Sequence, residues 1–137
     1  MGFKADLKIG NEFENLMIEK LKKDNDVIIR APECPFSKYD FMINDIKYEC
    51  KVDRLAHRTG NLCIEYKCRG KRSGIKTTES DYYIIKVNDM IFIIPVIELK
   101  NYIKQNKHNI KKVLGGDNKS SKLYLLKLHL FNKYLML

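Results

Sequence analysis

Apolar residues in the first stretch of the chain recur at helical spacing. Between Leu7 and Lys23, Ile9, Phe13, Leu16, Met17 and Leu21 follow three- and four-residue steps, with Lys and Glu filling the gaps. That pattern predicts an amphipathic helix. The Asp24-Asn25-Asp26 cluster should end it, because these side chains bond their own backbone and favour turns. Val27 to Arg30 then reads as a short strand, and Pro32 to Ser37 as a loop.

The period next changes to two. Lys38 to Ile43 and Ile46 to Asp53 flank Asn44-Asp45, residue types that tolerate positive φ and suit a two-residue hairpin turn. In the second run Ile46, Tyr48, Cys50 and Val52 alternate with Lys47, Glu49, Lys51 and Asp53, so the two sets occupy opposite faces. Arg54 to Gly60 reads as a polar loop, Leu62 to Lys67 as a strand, and the residues on to Lys76 as a basic loop. Tyr82 to Val87 and Met90 to Val96 flank Asn88-Asp89 and predict a buried second hairpin; Glu98 to Asn106 reads as a helix. After Gly115-Gly116-Asp117-Asn118 comes a leucine-rich tail that fits either helix or strand. There is no internal repeat or linker. The expectation is one α/β domain over residues 1–137, a central mixed and mostly antiparallel sheet flanked by helices.

Composition narrows the partners. The chain holds 26 Lys+Arg against 17 Asp+Glu, a net charge of +9. A field of that sign attracts polyanions, so nucleic acid is the first candidate partner. Lysine richness from an AT-rich coding sequence is the plainer explanation. No apolar run approaches the length needed to span a bilayer, and the N-terminus lacks a signal-peptide core, so an intracellular, soluble protein with no membrane partner is expected. Cys34, Cys50, Cys63 and Cys68 contain no C-x-x-C pair and are expected to be reduced structural thiols. His57, His108 and His129 lack metal-ligand spacing, and no Gly-x-Ser-x-Gly, P-loop or dinucleotide fingerprint is present.

One constellation carries chemistry. Glu49 and Lys51, two residues apart in a strand, project from the same face. A turn at Asn44-Asp45 sets Ile43 opposite Ile46 and, three residues farther out, Asp40 opposite Glu49. Carboxylates facing each other on adjacent strands have Cβ atoms about 5 Å apart. They repel unless a cation lies between them. A hard divalent ion, Mg²⁺ or Mn²⁺, suits such oxygens, and Lys51 beside it could orient water or stabilise charge on a phosphodiester. The competing view is that Lys47, Glu49, Lys51 and Asp53 form only the wet face of an amphipathic strand.

The order helix, strand, Asp-bearing strand, E-x-K strand resembles the PD-(D/E)xK nuclease core, which implies a restriction-endonuclease-like fold. Gly10-Asn11-Glu12-Phe13-Glu14 and Val27-Ile28-Ile29-Arg30-Ala31-Pro32 further resemble the start of archaeal Holliday junction resolvases, where a glutamate four residues after a glycine joins the metal site. The matching residue is Glu14, which on a helical wheel lies nearer the apolar stripe than Glu12; either could serve. Tyr39 stands where that family usually has a proline before the first catalytic Asp. Gly60-Asn61-Leu62-Cys63-Ile64-Glu65, Ser73-Gly74-Ile75 and Asp81-Tyr82-Tyr83 are similar to small phage- and virus-encoded members, with Glu65 and Ser73 as accessory candidates.

The resemblance implies a Mg²⁺-dependent endodeoxyribonuclease acting on DNA, including branched DNA such as Holliday junctions, and leaving 5′-phosphate and 3′-hydroxyl ends. Glu14, Asp40, Glu49 and the Cys50 carbonyl would hold the metal, and Lys51 would help activate water. Lys67, Arg69, Lys71, Arg72 and Lys76, with Gly70 and Gly74 among them, form a candidate strand-binding loop that Lys107, Lys111, Lys112, Lys119 and Lys122 could extend. Resolvase relatives act as dimers, and the apolar residues from Leu123 to Leu137 are a candidate homodimer contact. The alternative function is a non-catalytic, basic nucleic-acid-binding module on the same fold.

Overall fold

In a computed structural model of the chain, the structure describes residues 3–32 and 37–136, the side chains of 3–7 and 117 excepted. Cys34 lies outside the described residues. The first helix, α1, spans Phe3–Leu21, starting before the periodic stretch. It buries Phe13, Met17 and Ile18, whereas Leu16 is 44% exposed. The apolar stripe is therefore rotated from the expected one toward Ile18. Asp26 ends the helix region as its residue type suggests: its Oδ2 accepts the Lys23 N–H at 2.8 Å, and Asn25 takes φ 71°.

Strands β1 (Ile28–Arg30), β2 (Phe41–Ile43) and β3 (Ile46–Val52) follow. They form an antiparallel meander in which Ile43 faces Ile46 and Phe41 faces Tyr48. The stretch expected to be a loop contains a one-turn helix, α2 (Ala56–Thr59). Asp53 explains it, since its Oδ1 accepts the N–H groups of Leu55 and Ala56 at 3.1 and 3.0 Å. The chain continues through β4 (Asn61–Cys68), β5 (Lys71–Arg72), a 3-10 turn at Gly74–Lys76, β6 (Tyr82–Val87), β7 (Met90–Pro95) and α3 (Val96–Gln105). The tail resolves into β8 (Lys111–Gly115), β9 (Ser121–Lys127) and a 3-10 segment, Leu128–Tyr134.

Among the described residues these strands make two sheets, ordered β1-β2-β3-β6-β7 and β5-β4-β9-β8. The first is mixed, because β6 runs parallel to β3 and antiparallel to β7. A parallel neighbour requires a crossover. Here α2, β4, β5 and the 3-10 turn supply it, which places part of the second sheet inside the connection.

Helix α1 covers one face of the first sheet, where Phe13, Met17 and Ile18 pack with Phe41, Ile43, Ile84 and Ile91. On the other face Tyr83, Ile85 and Val87 of β6 share a core with Leu62 and Ile64 of β4, Tyr124 and Leu126 of β9, and Leu99 and Ile103 of α3. Both sheets thus belong to one α/β unit. A strand covered on both sides needs apolar residues at consecutive positions, which accounts for the unbroken run Tyr83-Ile84-Ile85. The apolar tail is largely internal: Tyr124, Leu126 and Phe131 are buried, and among its described residues Leu130, Leu135 and Met136 are the exposed large apolar ones. Among the described residues no helix is long and apolar enough to cross a membrane. Cys50, Cys63 and Cys68 are free thiols.

Candidate active site

The β2–β3 hairpin positions the carboxylate pair. Asn44 adopts φ 55° at its tip, the left-handed conformation Asn tolerates. The ladder extends past β2, for the Asp40 N–H donates to the Tyr48 carbonyl at 2.8 Å. Asp40 thus extends the pairing against Tyr48, close enough to Glu49 for that charge to act on its carboxyl. Its Oδ2 accepts the Cys50 N–H at 2.6 Å. Burial raises the Asp40 carboxyl above the ordinary aspartate range; the Cys50 N–H opposes this, the Glu49 charge adds to it, and Lys51 partly offsets it.

Glu49 is held from both sides. Its Oε2 lies 3.0 Å from the Lys51 Nζ, and the Thr78 hydroxyl donates to its Oε1 at 3.1 Å. Thr78 is anchored in turn, accepting the Ser80 N–H at 3.1 Å. Burial alone would lower Lys51, but the adjoining Glu49 charge prevails and raises it, so its ammonium stays charged. The same ammonium lies 5.0 Å from the centre of the Tyr83 ring. Tyr83 is fully buried; burial pushes its phenol upward, and a polar contact with Thr78 partly opposes this.

The structure separates the two helix glutamates. Glu12 is exposed and pairs with Lys8 at 3.9 Å. Glu14 is largely covered and pairs with Arg30 Nη1 at 3.1 Å, while Arg30 Nη2 donates to Asn15. Burial, then the charges of Asp40, Glu14 and Glu49, push the Cys50 thiol upward. Glu14 thus lies close enough to act on the Cys50 thiol, whereas Glu12 points to solvent.

Glu65 projects from β4, but its oxygens are engaged: Ser73 donates to Oε2 at 3.0 Å and Ser121 to Oε1 at 2.7 Å. This ties the Ser73 segment and β9 to β4 at a bulge between Glu65 and Lys67. Glycine at 74 is required there, since its φ is +53° and an added Cβ would sit 2.2 Å from the Glu65 carbonyl oxygen. Asp53, two residues beyond Lys51, also has a structural task. Besides starting α2, it accepts the Cys63 N–H at 3.0 Å through Oδ2 and so links β3 to β4.

The expected basic loop is a hairpin in part. Arg69 and Gly70 take φ 51° and 79° at its tip, and Lys67 pairs with Arg72 across β4 and β5. Arg72 and Lys76 turn toward α3, apart from Arg69 and Lys71. A cleft of about 1000 Å³ opens beside Lys51, walled by Ile85, Val113, Leu123 and Leu125 and bordered by Arg54 and Lys111. Reasoning from sequence missed Thr78 and Tyr83. No local pattern marks Thr78, but Tyr83 was detectable as the position on the second hairpin that shares a face with Glu49 once β3 and β6 are paired.

Among the described residues no three His, Cys, Asp or Glu side chains are disposed to hold a metal ion. The donors nonetheless suit a hard divalent cation in type: Asp40 is desolvated and repelled by Glu49, a pairing that such an ion relieves. No family model, curated protein or solved structure matches the chain.

Proposed function

We propose that this protein is a divalent-metal-dependent nuclease of the PD-(D/E)xK type that hydrolyses nucleic-acid phosphodiesters, with DNA the favoured substrate. The observation that carries the reading is the hairpin that brings half-buried Asp40 within reach of the Glu49 charge while Lys51 contacts Glu49 at 3.0 Å. The antiparallel β1-β2-β3 meander followed by a strand parallel to β3 agrees with the sheet that a restriction-endonuclease-like fold requires.

In this reading Asp40 and Glu49, with Glu14 and the Cys50 carbonyl, hold Mg²⁺ or Mn²⁺. When bound, the ion supplies charge neutralisation and acidifies a water for attack. Lys51 works as a cation. Held charged by Glu49, it stabilises negative charge on the phosphate and orients water, and does not remove a proton. Thr78 holds Glu49 in place, and Arg30 pairs with Glu14, which would have to release it for the ion. Branched DNA and a homodimer are the narrower expectations, resting on the likeness to resolvases; among the described residues of the tail, Leu130, Leu135 and Met136 are exposed for such a contact. An intracellular setting fits a nucleic-acid substrate and free thiols.

Incubating the protein with Mg²⁺ and branched, duplex, single-stranded and RNA substrates should yield cleavage that Lys51→Ala abolishes. No Lys51-dependent cleavage of any of them overturns the proposal. A non-catalytic nucleic-acid-binding module is favoured by one observation, the engagement of both Glu49 oxygens by Lys51 and Thr78. It predicts salt-sensitive binding that persists in Asp40→Ala and Lys51→Ala.

A further inference from the structure

A recess of about 330 Å³ lies between α3 and the Arg72–Lys76 segment, ringed by Arg72, Lys76, Lys100, Lys104 and Lys107. Its floor is apolar, made of Ile75, Ile103 and Tyr124, all buried in the main core. No carboxylate lines it. Among the described residues none of these five cations forms an ion pair, although Lys38, Lys47 and Lys51 elsewhere all do. The segments come from distant parts of the chain, so the convergence is a product of folding and not of a local lysine run.

Clustered like charges repel, and repulsion between Lys100 and Lys104, one helical turn apart, opposes α3 itself. A polyanion removes that penalty. Lysines act on phosphate as point charges without reading bases, and the apolar floor suits a sugar or base beside the phosphates. Position adds a second argument. Lys76 is two residues from Thr78, a backbone distance of at most about 7 Å, and the Thr78 hydroxyl donates to Glu49. The recess and the carboxylate site are therefore neighbours along one short segment.

We propose that this recess is a phosphate-backbone subsite that grips the substrate strand beyond the scissile bond, with Lys100 and Lys104 as its outer wall. The proposal rests on the reading of the chain as a protein that acts on nucleic acid. It also redraws the binding surface: Arg72 and Lys76 work with α3, and Arg69 and Lys71 lie outside the recess.

The test is metal-free binding of fluorescently labelled single-stranded and duplex DNA, measured by anisotropy over a salt series. Each phosphate contact contributes about 0.7 to 0.9 to the slope of log K against log salt. Lys100→Gln/Lys104→Gln should flatten the slope by about 1.5 and weaken binding about tenfold near physiological salt. Lys20→Gln/Lys23→Gln removes the same charge from the last turn of α1 and the loop after it, outside the recess, and should leave the slope unchanged. Lys76→Gln/Lys107→Gln reads the same recess from outside α3, and thermal melts check that each variant is folded. Equal behaviour of recess and control variants overturns the subsite, as does absence of DNA binding by the parent chain. A recess-dependent slope without cleavage keeps the subsite and removes the nuclease reading; Lys51-dependent cleavage with an unchanged slope does the reverse.

Discussion

The two Asn-Asp hairpins of the first sheet share a turn chemistry and differ in everything built on it. Asn44 and Asn88 both take φ 55°. Beyond Asn88-Asp89 the ladder pairs apolar residues at nearly every step, Ile85 with Phe92, Ile84 with Ile93 and Tyr83 with Ile94. Beyond Asn44-Asp45 it does so only as far as Phe41 and Tyr48, and then brings Asp40 toward Glu49. The Asn88 hairpin gains from burial on both faces. The Asn44 hairpin carries half-buried Asp40, whose charged form is disfavoured by burial and by the Glu49 charge. Placing costly groups where packing could have been continued is the pattern expected of a functional site.

The largest test of the contrast is to cut each hairpin where its role is greatest. Phe92→Ala removes a fully buried ring and should cost about 3 to 5 kcal/mol in chemical denaturation. A loss below about 1 kcal/mol would show that β7 does not anchor the core. Lys51→Ala should lower cleavage by about a hundredfold or more, in the range for loss of a charge-stabilising group, with only a small change in stability. Equal losses of activity and stability would instead make Lys51 part of the scaffold.

Asp40→Asn should separate function from folding. With its carboxyl raised in the folded state, Asp40 contributes stability that is present below the ordinary aspartate range and lost as pH rises through the folded value. The variant should thus melt higher than the parent at pH 7, and the gap should close as pH falls. Millimolar Mg²⁺ or Mn²⁺ should raise the melting temperature of the parent but not of the variant, because only the native pair binds the ion. A variant that melts lower at pH 7 contradicts the repulsion. The smallest effect is expected for Tyr83→Phe. The Tyr83 hydroxyl makes no well-formed hydrogen bond, so its removal should change stability by less than about 1 kcal/mol. A clear loss in thermal melts would show that its contact with Thr78 holds the site together.

Much of the site's geometry was legible because it depends on neighbours in sequence. The alternation through Ile46–Val52 and the turn at Asn44-Asp45 together determine that Glu49 and Lys51 share a face and that Asp40 comes near them, although its N–H meets the Tyr48 carbonyl, one residue short of the expected partner Glu49. The helical period likewise located α1, although Leu16 proved exposed because the sheet beneath selects the stripe that includes Ile18. Near Arg54, by contrast, polarity suggested a loop. The brief α2 exists there because Asp53 also reaches the Cys63 N–H, a contact that depends on where β4 lies.

The sequence by itself determined the short-range part of this protein: a first helix, two hairpins and an acidic pair with a lysine, all set by periods and turn preferences acting over a few residues. Only the tertiary structure decided the rest. Whether Ser121–Lys127 is a strand depends on its pairing with Asn61–Cys68, whose pattern alone does not name a partner. The same pairing brings Ser121 to Glu65, and the packing of α3 brings Lys100 and Lys104 to Arg72 and Lys76. The physical reason is that local preferences are weak, a fraction of a kcal/mol per residue, whereas these contacts come from burying a core shared by segments far apart in the chain.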